Sequence, residues 1–148
     1  MLAVMSACEL CTSPGGKVVW QDGRCRVVRV GGDEGLAFPG FCRVVWHAHI
    51  GEMTSLAAAD RRHLMNVVFA TEAALRALLQ PDKINLASLG NVLHHLHWHV
   101  IPRWREDSHF PAPVWAAGRR PVPALRNVDN AALAATLAEV LSEEMSGA

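Results

Sequence analysis

The chain has 148 residues, of which 51% are hydrophobic and 19% are charged, and this composition is typical of a folded domain rather than a disordered protein. Its 14 basic and 14 acidic residues balance, so it offers no overall positive field to capture a nucleic acid or an anionic membrane surface. No run approaches the roughly 18 apolar residues of a membrane-spanning helix. We therefore expect neither a nucleic acid nor a membrane as a partner.

Residues 1–7 are apolar but short and lack a basic segment, so they do not resemble an export signal. We expect a cytoplasmic protein. In that setting the four cysteines are predicted to be free thiols or metal ligands rather than disulfides.

The first half of the chain predicts three strands and a long helix. Strands are expected at residues 18–20, 25–30 and 41–46, and the Asp22-Gly23 pair is typical of the hairpin turn between the first two. Residues 31–40 are expected to form an irregular loop.

The long helix is predicted from Thr54 or Ser55 to about Leu79, with Asp60 in its early turns and Pro81 ending it. Apolar spacing of three and four places a core stripe on one face of this helix. The stripe consists of Leu64, Val67, Val68, Thr71, Leu75 and Leu78.

The second half predicts strands at residues 84–89 and 95–101 and then a proline-rich loop over 104–123, which lies on the body or against a partner. Asp129 or Asn127 can cap a last helix, whose apolar positions are Leu133, Leu137, Leu141 and Met145. Residues 1–148 are thus expected to form a single α+β domain. It has a five-stranded, mainly antiparallel sheet, one long helix and a C-terminal helix, and residues 104–148 supply the loop and that last helix.

Three histidines, His95, His97 and His99, alternate with apolar residues near the end of the predicted sheet. A strand sends successive side chains to opposite faces, so the three imidazoles would share one face at intervals of roughly 6.5 Å. Such a row can converge on a phosphate, a metal or both. The alternative is a half-buried strand whose polar face happens to be histidine.

The segment His95-Leu96-His97-Trp98-His99-Val100-Ile101 resembles the signature of the histidine triad (HIT) superfamily. The likeness continues through residues 85–91, Pro102-Arg103 and residues 46–50, and covers about residues 8–115. The resemblance implies a HIT-like fold, in agreement with the α+β domain expected above. It also implies a homodimer that pairs the central sheet and long helix across a two-fold axis.

A neutral imidazole is a good nucleophile toward phosphorus near neutral pH, and a covalent intermediate divides one difficult displacement into two easier ones. The resemblance implies that His97 attacks the α-phosphate of a nucleotide and that water then hydrolyses the nucleotidyl-histidine. It assigns His99 a contact to the phosphate or to the bridging oxygen of the leaving group. The implied substrates are dinucleoside polyphosphates or nucleoside phosphoramidates.

Two asparagines are candidate phosphate ligands by the same resemblance. Asn91 stands where members usually carry a glutamine, and Asn85 lies near the place of another phosphate-contacting asparagine; turn capping is the alternative for both. Val92 stands where many members carry a serine or threonine, which favours polyphosphate over amine leaving groups. Arg103 could meet a distal phosphate or be a surface arginine. Nucleoside recognition is implied for the first two strands and the loop at residues 31–41.

The Cys8-x-x-Cys11 start is similar to zinc-containing members. Zinc in closed structural sites takes four cysteine or histidine ligands, and the resemblance implies that His49 and His95 complete the set. The alternatives are a simple thiol pair, or a four-cysteine site that includes Cys25 and Cys42. Those two fall within apolar strands, where buried cysteines act as small hydrophobic residues.

Three functional interpretations follow. The first is a nucleotide hydrolase or transferase acting through His97. The second is a zinc-organised nucleotide-binding protein without covalent catalysis. The third is a metalloenzyme with His95, His97 and His99 on one catalytic metal, and it leaves the cysteine pair and His49 unused. Asn85 and Asn91 beside the triad favour the first, because a pure metal site would not need them.

Overall fold

The computed structural model describes residues 7–146, apart from the side chain of Met145, so the core position predicted for Met145 lies outside the described residues. Five strands form one sheet in the order β1-β2-β3-β5-β4, and every neighbouring pair is antiparallel. The strands are β1 (Lys17–Gln21), β2 (Cys25–Arg29), β3 (Cys42–Trp46), β4 (Lys83–Ala87) and β5 (His97–Arg103). The predicted α+β class and sheet are confirmed.

Four α-helices accompany the sheet in the described range: α1 (Glu9–Thr12), α2 (Gly32–Ala37), α3 (Ala58–Leu79) and α4 (Asn130–Ser146). Helices α1 and α2 were not predicted, and the irregular loop expected over residues 31–40 is wrong where α2 forms. Both helices are too short to show the apolar period of a helix in the sequence. The glycines of α2 also disfavour a helix there. None of the helices between residues 7 and 146 is long and apolar enough to cross a membrane.

Helix α3 begins at Ala58, later than predicted, because residues Met53–Ser55 form a separate 3₁₀ turn and Ala57 is extended. It ends at Leu79, and Gln80 adopts a left-handed conformation (φ 50°) directly before Pro81. This ending agrees with the prediction, since a residue that precedes proline avoids the α-helical region. The predicted stripe is buried except for Leu78, which is partly buried.

Helices α3 and α4 cover one face of the sheet. The core there joins Val27, Val44 and Val100 of the sheet to Leu64 of α3 and Leu137 of α4. Because strand side chains alternate between faces, neighbouring positions in the sheet point to the opposite face, away from both helices. That opposite face is where the histidine row lies.

Helix α4 begins where Asp129 caps it. The Asp129 carboxylate accepts the backbone N–H of Ala132 at 2.7 Å, as an N-cap residue does. Asn127, the other candidate, instead accepts a hydrogen bond from the Arg29 guanidinium of β2. The sequence left two possible caps, and the structure selects Asp129.

The proline-rich segment after β5 lies on the body of the domain and is anchored by a buried ion pair. Arg103 and Asp107 have side chains only 2% and 0% exposed, and their contacts are 2.8 Å and 3.1 Å long. Arg103 also donates to the Oδ1 atom of Asn85 at 2.9 Å and to the carbonyl of Ala112 at 2.8 Å. The expectation that Arg103 meets a phosphate or lies on the surface is therefore wrong, since Arg103 is buried and its donors bind Asn85 of β4 and Asp107 and Ala112 of the loop.

Asp107 completes the anchor. Burial alone would raise the pKa of its carboxyl, but hydrogen bonds from Arg103 and from the backbone N–H groups of His109, Trp104 and Phe110 hold the pKa below its ordinary value. The carboxylate thus accepts hydrogen bonds from one guanidinium and three backbone N–H groups within a single turn. This turn fixes where the rest of the loop crosses the sheet.

We expect Asp107→Ala to lower the free energy of unfolding by about 3–5 kcal/mol, because it leaves the Arg103 charge buried without a partner. The matched control is Asp60→Ala, which removes an exposed pair with Arg24 whose side chains are 34% and 46% exposed and should cost only about 0–1 kcal/mol. Urea unfolding measures both. Equal losses for the two variants would contradict the anchoring role.

The lowered pKa of Asp107 also predicts a pH dependence. Its folded-state pKa lies below the unfolded-state value of about 3.9, so its stabilising contribution is present at neutral pH and is lost as pH falls through the folded-state pKa. Between roughly pH 5 and pH 2, wild type should lose more stability than Asp107→Asn. Parallel pH profiles of unfolding for the two proteins would exclude this contribution.

Candidate functional site

Strand β5 begins at His97, so His95 lies just ahead of the strand and the predicted boundary at residue 95 is wrong. The backbone of Leu96 explains the difference: its carbonyl accepts from Trp46 at 3.1 Å and its N–H donates to Ile50 at 2.7 Å. The ladder with β3 starts only at the pair formed by Val45 and His97. His95 is consequently free to turn toward another group of residues.

His97 and His99 share one face, as predicted, and their ring centroids are 4.9 Å apart at an interplanar angle of 76°. Both side chains are nearly buried, with exposures of 6% and 5%. The edge of β3 and the proline-rich loop surround them: Phe41 contacts His99 from one side and Trp115 from another. Two imidazoles are thus held together in a largely desolvated place.

The hydrogen bonding of His97 fixes its tautomer. Its Nδ1 lies 2.6 Å from the backbone carbonyl of His95, and a carbonyl can only accept, so Nδ1 carries the proton and Nε2 has the free lone pair. Burial lowers the pKa of His97, the bond to the His95 carbonyl opposes that, and the charge of Arg43 lowers the pKa further. The ring is neutral near pH 7, which is the state a nucleophile needs.

Arg43 is a site residue that the sequence analysis missed. It lies directly opposite His99 in the pairing of β3 with β5, and its guanidinium contacts Glu34 at 3.3 Å. Burial first, and then the charges of His97 and Arg43, lower the pKa of His99 to about 3. The signal in the sequence was a single basic residue within the apolar run of residues 41–46.

Arg43 Nε and His99 Nδ1 are the two buried side-chain nitrogen or oxygen atoms without a hydrogen-bond partner among the residues that the structure describes. An unsatisfied buried polar atom costs about 1–3 kcal/mol. The Cβ atoms of residues directly opposite each other in an antiparallel pair are about 5 Å apart, so Arg43 and His99 extend from adjacent points on the same face of the sheet. Their coincidence on the triad face is typical of a polar site that a ligand completes.

The two predicted phosphate ligands lie in different parts of the chain's fold, one in strand β4 and one in the connection that follows it. Asn91 is exposed in the connection between β4 and β5, while Asn85 in β4 has its Oδ1 atom bound to Arg103. Only the amide N–H₂ group of Asn85 is left to meet a phosphate. Between them, Ser88 donates to the carbonyl of His97 at 3.2 Å, and a cavity of about 230 Å³ is lined by residues 51–54 and 88–90 together with His95, Leu96 and His97.

The four predicted metal ligands converge. The Nδ1 atom of His95 is 3.4 Å from the Sγ atom of Cys8, 3.5 Å from that of Cys11 and 3.3 Å from the Nδ1 atom of His49. All four ligand atoms lie within 4.8 Å of one another. Tetrahedral zinc with ligands at 2.0–2.3 Å requires ligand atoms about 3.3–3.8 Å apart, so the spacing fits a zinc ion.

The hydrogen bonds of His95 support the same conclusion. Its Nε2 donates to the carbonyl of Trp46 at 2.5 Å, so its Nδ1 has the lone pair and points at the cluster. Burial is the main cause that lowers the pKa of His95, and the ring is therefore neutral. A bound histidine whose second nitrogen is held by a carbonyl is the usual arrangement around zinc.

The remaining cysteines stand outside this cluster. Cys25 and Cys42 are fully buried, and burial raises the pKa of each thiol to about 12. Cys25 lies near Asp22 and His63, but the Asp22 carboxylate already accepts two backbone N–H groups of the hairpin and contacts His63 Nε2 at 2.6 Å. The contact between Asp22 and His63 links the hairpin to α3. Cys25 and Cys42 lie outside the cluster of Cys8 and Cys11, so the alternative four-cysteine site does not form.

Comparisons with known proteins agree on one family. The family model for the HIT domain matches residues 16–106, and no curated protein matches the chain. A histidine triad (HIT) protein from Sinorhizobium meliloti 1021 is 26% identical, with 85% of this chain and 90% of that chain covered and a TM-score of 0.66.

Two further solved structures share the fold. A hypothetical histidine triad nucleotide-binding protein from Sulfolobus tokodaii strain7 is 19% identical, with 92% of this chain and 91% of that chain covered and a TM-score of 0.58. A Zn-bound histidine triad family protein from Mycobacterium smegmatis is 18% identical, with coverage of 96% and 98% and a TM-score of 0.59.

The four cysteines differ in burial, and this difference predicts their reactivity: Cys25 and Cys42 are buried, Cys8 is partly buried and Cys11 is exposed. In metal-free native protein at about pH 8, a thiol reagent should modify Cys8 and Cys11 and leave Cys25 and Cys42 unmodified. The first two are accessible, whereas burial shields the other two and keeps their thiols protonated. Denaturation should expose all four cysteines, and adding zinc to native protein should protect the first two. Rapid native modification of the buried pair, identified by mass spectrometry, would contradict this assignment; Cys11→Ser serves as the control for site identity.

Proposed function

The chain belongs to the HIT domain family, and on this premise we propose that it is a nucleotide hydrolase or transferase that acts through a nucleotidyl intermediate on His97. The substrate is a dinucleoside polyphosphate or a nucleoside phosphoramidate. The observation that carries the proposal is the 2.6 Å hydrogen bond from His97 Nδ1 to the His95 carbonyl, because it leaves Nε2 as a free base.

The reaction proceeds in two displacements. His97 Nε2 forms a bond to the α-phosphorus, and the bond from phosphorus to the bridging atom breaks, with its electron pair leaving on the departing group. Water then attacks the same phosphorus, the N–P bond breaks and His97 returns to its neutral state. His99, 4.9 Å from His97 between ring centroids, contacts the phosphate or the bridging oxygen as the negative charge moves to the leaving group.

Charges and donors around the triad suit an anionic substrate. Arg43 supplies a cation opposite His99, and its buried Nε–H lacks a partner, so an oxygen of the substrate would satisfy it. Asn91 and the free amide group of Asn85 are the proposed additional phosphate donors. Preorganised donors in a desolvated site stabilise developing charge more strongly than the same groups in water.

The cluster of Cys8, Cys11, His49 and His95 is the proposed site of a structural zinc ion. The spacing of the ligand atoms and the lone pair of His95 Nδ1 support it, as does the shared fold with a protein that is Zn-bound. Zinc held by four protein ligands supplies folding stability and has no open position for water. The metalloenzyme interpretation loses support, since His95 turns to this cluster while His97 and His99 remain together.

The family also implies a homodimer, and strand β4 lies at one edge of the sheet where another strand could pair. The cytoplasmic location and the homodimer both stay predictions. Sedimentation of the purified protein tests the second directly.

A zinc-organised nucleotide-binding protein without covalent catalysis is the second candidate function. The near-complete burial of His97 and His99 in the single chain favours it, because a nucleophile must be reached by substrate. The two candidates differ in one observable, the covalent bond to His97.

We expect wild-type protein quenched with α-labelled diadenosine polyphosphate to carry an acid-labile, base-stable label, and His97→Ala to carry none. The variant should lose turnover by a factor of at least about 10³, because the nucleophile is absent, yet bind adenosine monophosphate nearly normally. His94→Ala, a change at an exposed neighbour, is the matched control and should behave as wild type. Turnover retained by His97→Ala would exclude the proposed nucleophile.

Cys8→Ser should lower the zinc content and the melting temperature together, because a structural site that loses one of its four ligands binds its metal weakly. Metal analysis and thermal unfolding measure the two effects. Cys42→Ser tests the buried pair: its zinc content should stay at the wild-type level even if the melting temperature falls. An unchanged zinc content in Cys8→Ser would remove the cysteine pair from the site.

A further inference from the structure

The arginines of the sheet differ in how fully their donors are used. Four lie in strands: Arg26 and Arg29 of β2, Arg43 of β3 and Arg103 of β5. Arg26 donates to two carbonyls in and just after α1 at 2.8 Å and 2.9 Å, and Arg29 donates to the side chain that opens α4 at 3.1 Å. Arg103 holds the proline-rich loop. Three of the four thus anchor a neighbouring segment through short hydrogen bonds.

Arg43 has no contact of that quality. Its Nη2 atom lies 3.3 Å from the Glu34 carboxylate of α2, and its Nη1 atom lies 3.5 Å from the carbonyl of Gly15. Both distances exceed the roughly 2.7–3.2 Å of a good N–H···O hydrogen bond. Its Nε–H is buried and has no partner in the described part of the chain. Arg43 is therefore the strand arginine whose donors are left for a ligand.

The unused donor belongs to one edge of the guanidinium group. Nε–H and one N–H of Nη2 point the same way, so together they can bind two oxygens of a single anion. Arg103 shows this edge fully used, because Asp107 accepts from its Nε at 2.8 Å and from its Nη2 at 3.1 Å. On Arg43, Glu34 meets Nη2 alone and with one oxygen. The same edge is only half filled there.

The edge is held beside the triad by a contact that uses none of its donors. The Cζ atom of Arg43 lies 5.8 Å from the centre of the Phe41 ring, within the range of a cation–π contact, and the same ring meets His99 edge to face. Arg43 is directly opposite His99 and diagonal to His97 in the ladder, and long side chains reach across both spacings. A phosphoryl group at His97 therefore lies within reach of Arg43.

We propose that the Nε and Nη2 edge of Arg43 is the binding site of the transferred α-phosphoryl group, and that this phosphate displaces Glu34 when substrate binds. The inference rests on the proposed function, which places the α-phosphorus at His97. It adds the two donors that bind the phosphoryl oxygens and the carboxylate that those oxygens replace. Glu34 is thus an internal competitor, and its side chain, 38% exposed, turns to water when the phosphate takes its place.

Two effects favour the phosphate over the carboxylate. Two charge-assisted hydrogen bonds in a fixed fork are stronger than one long contact, and the buried Nε–H, which is costly without a partner, gains an acceptor. Glu34 loses little, since an ion pair near the surface contributes little to stability. The exchange therefore selects an anion with two adjacent oxygens, and a neutral nucleoside gains nothing from Arg43.

A purely structural role for the ion pair makes a different prediction. If Arg43 and Glu34 only held α2 against β3, loss of either partner would weaken every ligand of the triad alike. If they exchange, loss of the Arg43 fork weakens ligands that have a phosphate, whereas loss of the Glu34 charge strengthens them. The distinction requires one ligand with a phosphate and one without.

The experiment measures dissociation constants of His97→Ala, which cannot form the covalent intermediate, for adenosine monophosphate and adenosine. Adding Arg43→Gln should weaken binding of the monophosphate roughly 10- to 100-fold, and adding Glu34→Gln should strengthen it about two- to fivefold. Neither change should alter adenosine binding by more than about twofold. Arg43→Lys should restore only part of the loss, because an ammonium group has the charge without the two-donor edge.

Arg62→Gln in α3 and Glu139→Gln in α4 are the matched controls. Both residues are exposed, both changes alter the net charge by one, and both helices lie across the sheet from the triad, so neither constant should change. Weaker or unchanged binding of the monophosphate in Glu34→Gln would overturn the inference, and this outcome does not depend on the folding of Arg43→Gln. No loss in Arg43→Gln, an equal loss for both ligands, or full recovery in Arg43→Lys would also overturn it.

Failure of the proposed function is seen separately. A wild-type protein without a covalent label could still show the opposite effects of Arg43→Gln and Glu34→Gln on the monophosphate, and the phosphate site would then stand without the covalent step. A label that forms while monophosphate binding is indifferent to both changes would reject this inference alone.

Discussion

The antiparallel pairing of β3 with β5 determines the geometry of the whole site. It places Arg43 opposite His99 and Val45 opposite His97, and its alternation leaves Val44, Trp98 and Val100 for the helix-covered face. Because the side-chain period of a strand is two, a shift of one residue would send both histidines into the core beneath α3. The apolar face buried against the helices therefore enforces the register that the histidine face needs.

His95 connects the two halves of the chemistry. Its Nδ1 faces the cysteine pair, and its Nε2 donates a hydrogen bond to the carbonyl of Trp46. Its own carbonyl accepts a hydrogen bond from Nδ1 of His97. One residue thus orients a candidate metal site through its side chain and a candidate nucleophile through its backbone. Its position ahead of the strand, where the ladder with β3 has not yet begun, lets its side chain and its carbonyl point to different neighbours.

The buried ion pair of Arg103 and Asp107 has a comparable role for the loop. Removing two charges from water is costly, and such pairs are tolerated only where further hydrogen bonds satisfy them. Here Asn85, the Ala112 carbonyl and three backbone N–H groups do so. The result is a segment without helix or strand that nevertheless holds Trp115 against His99.

The sequence by itself determined the features that are local. The alternating histidines, the stripe of α3, its end before Pro81 and a capping residue near Asp129 all follow from spacing within one element. The likeness to the HIT superfamily supplied the candidate metal ligands Cys8, Cys11, His49 and His95. Only the tertiary structure decided the start of β5 at His97, the burial of Arg103 and the places of Arg43 and Trp115 at the triad. Each of these depends on a contact between residues distant in the chain. The spacing of apolar residues in a sequence indicates which face of an element a residue occupies, but not which residues of other elements contact it.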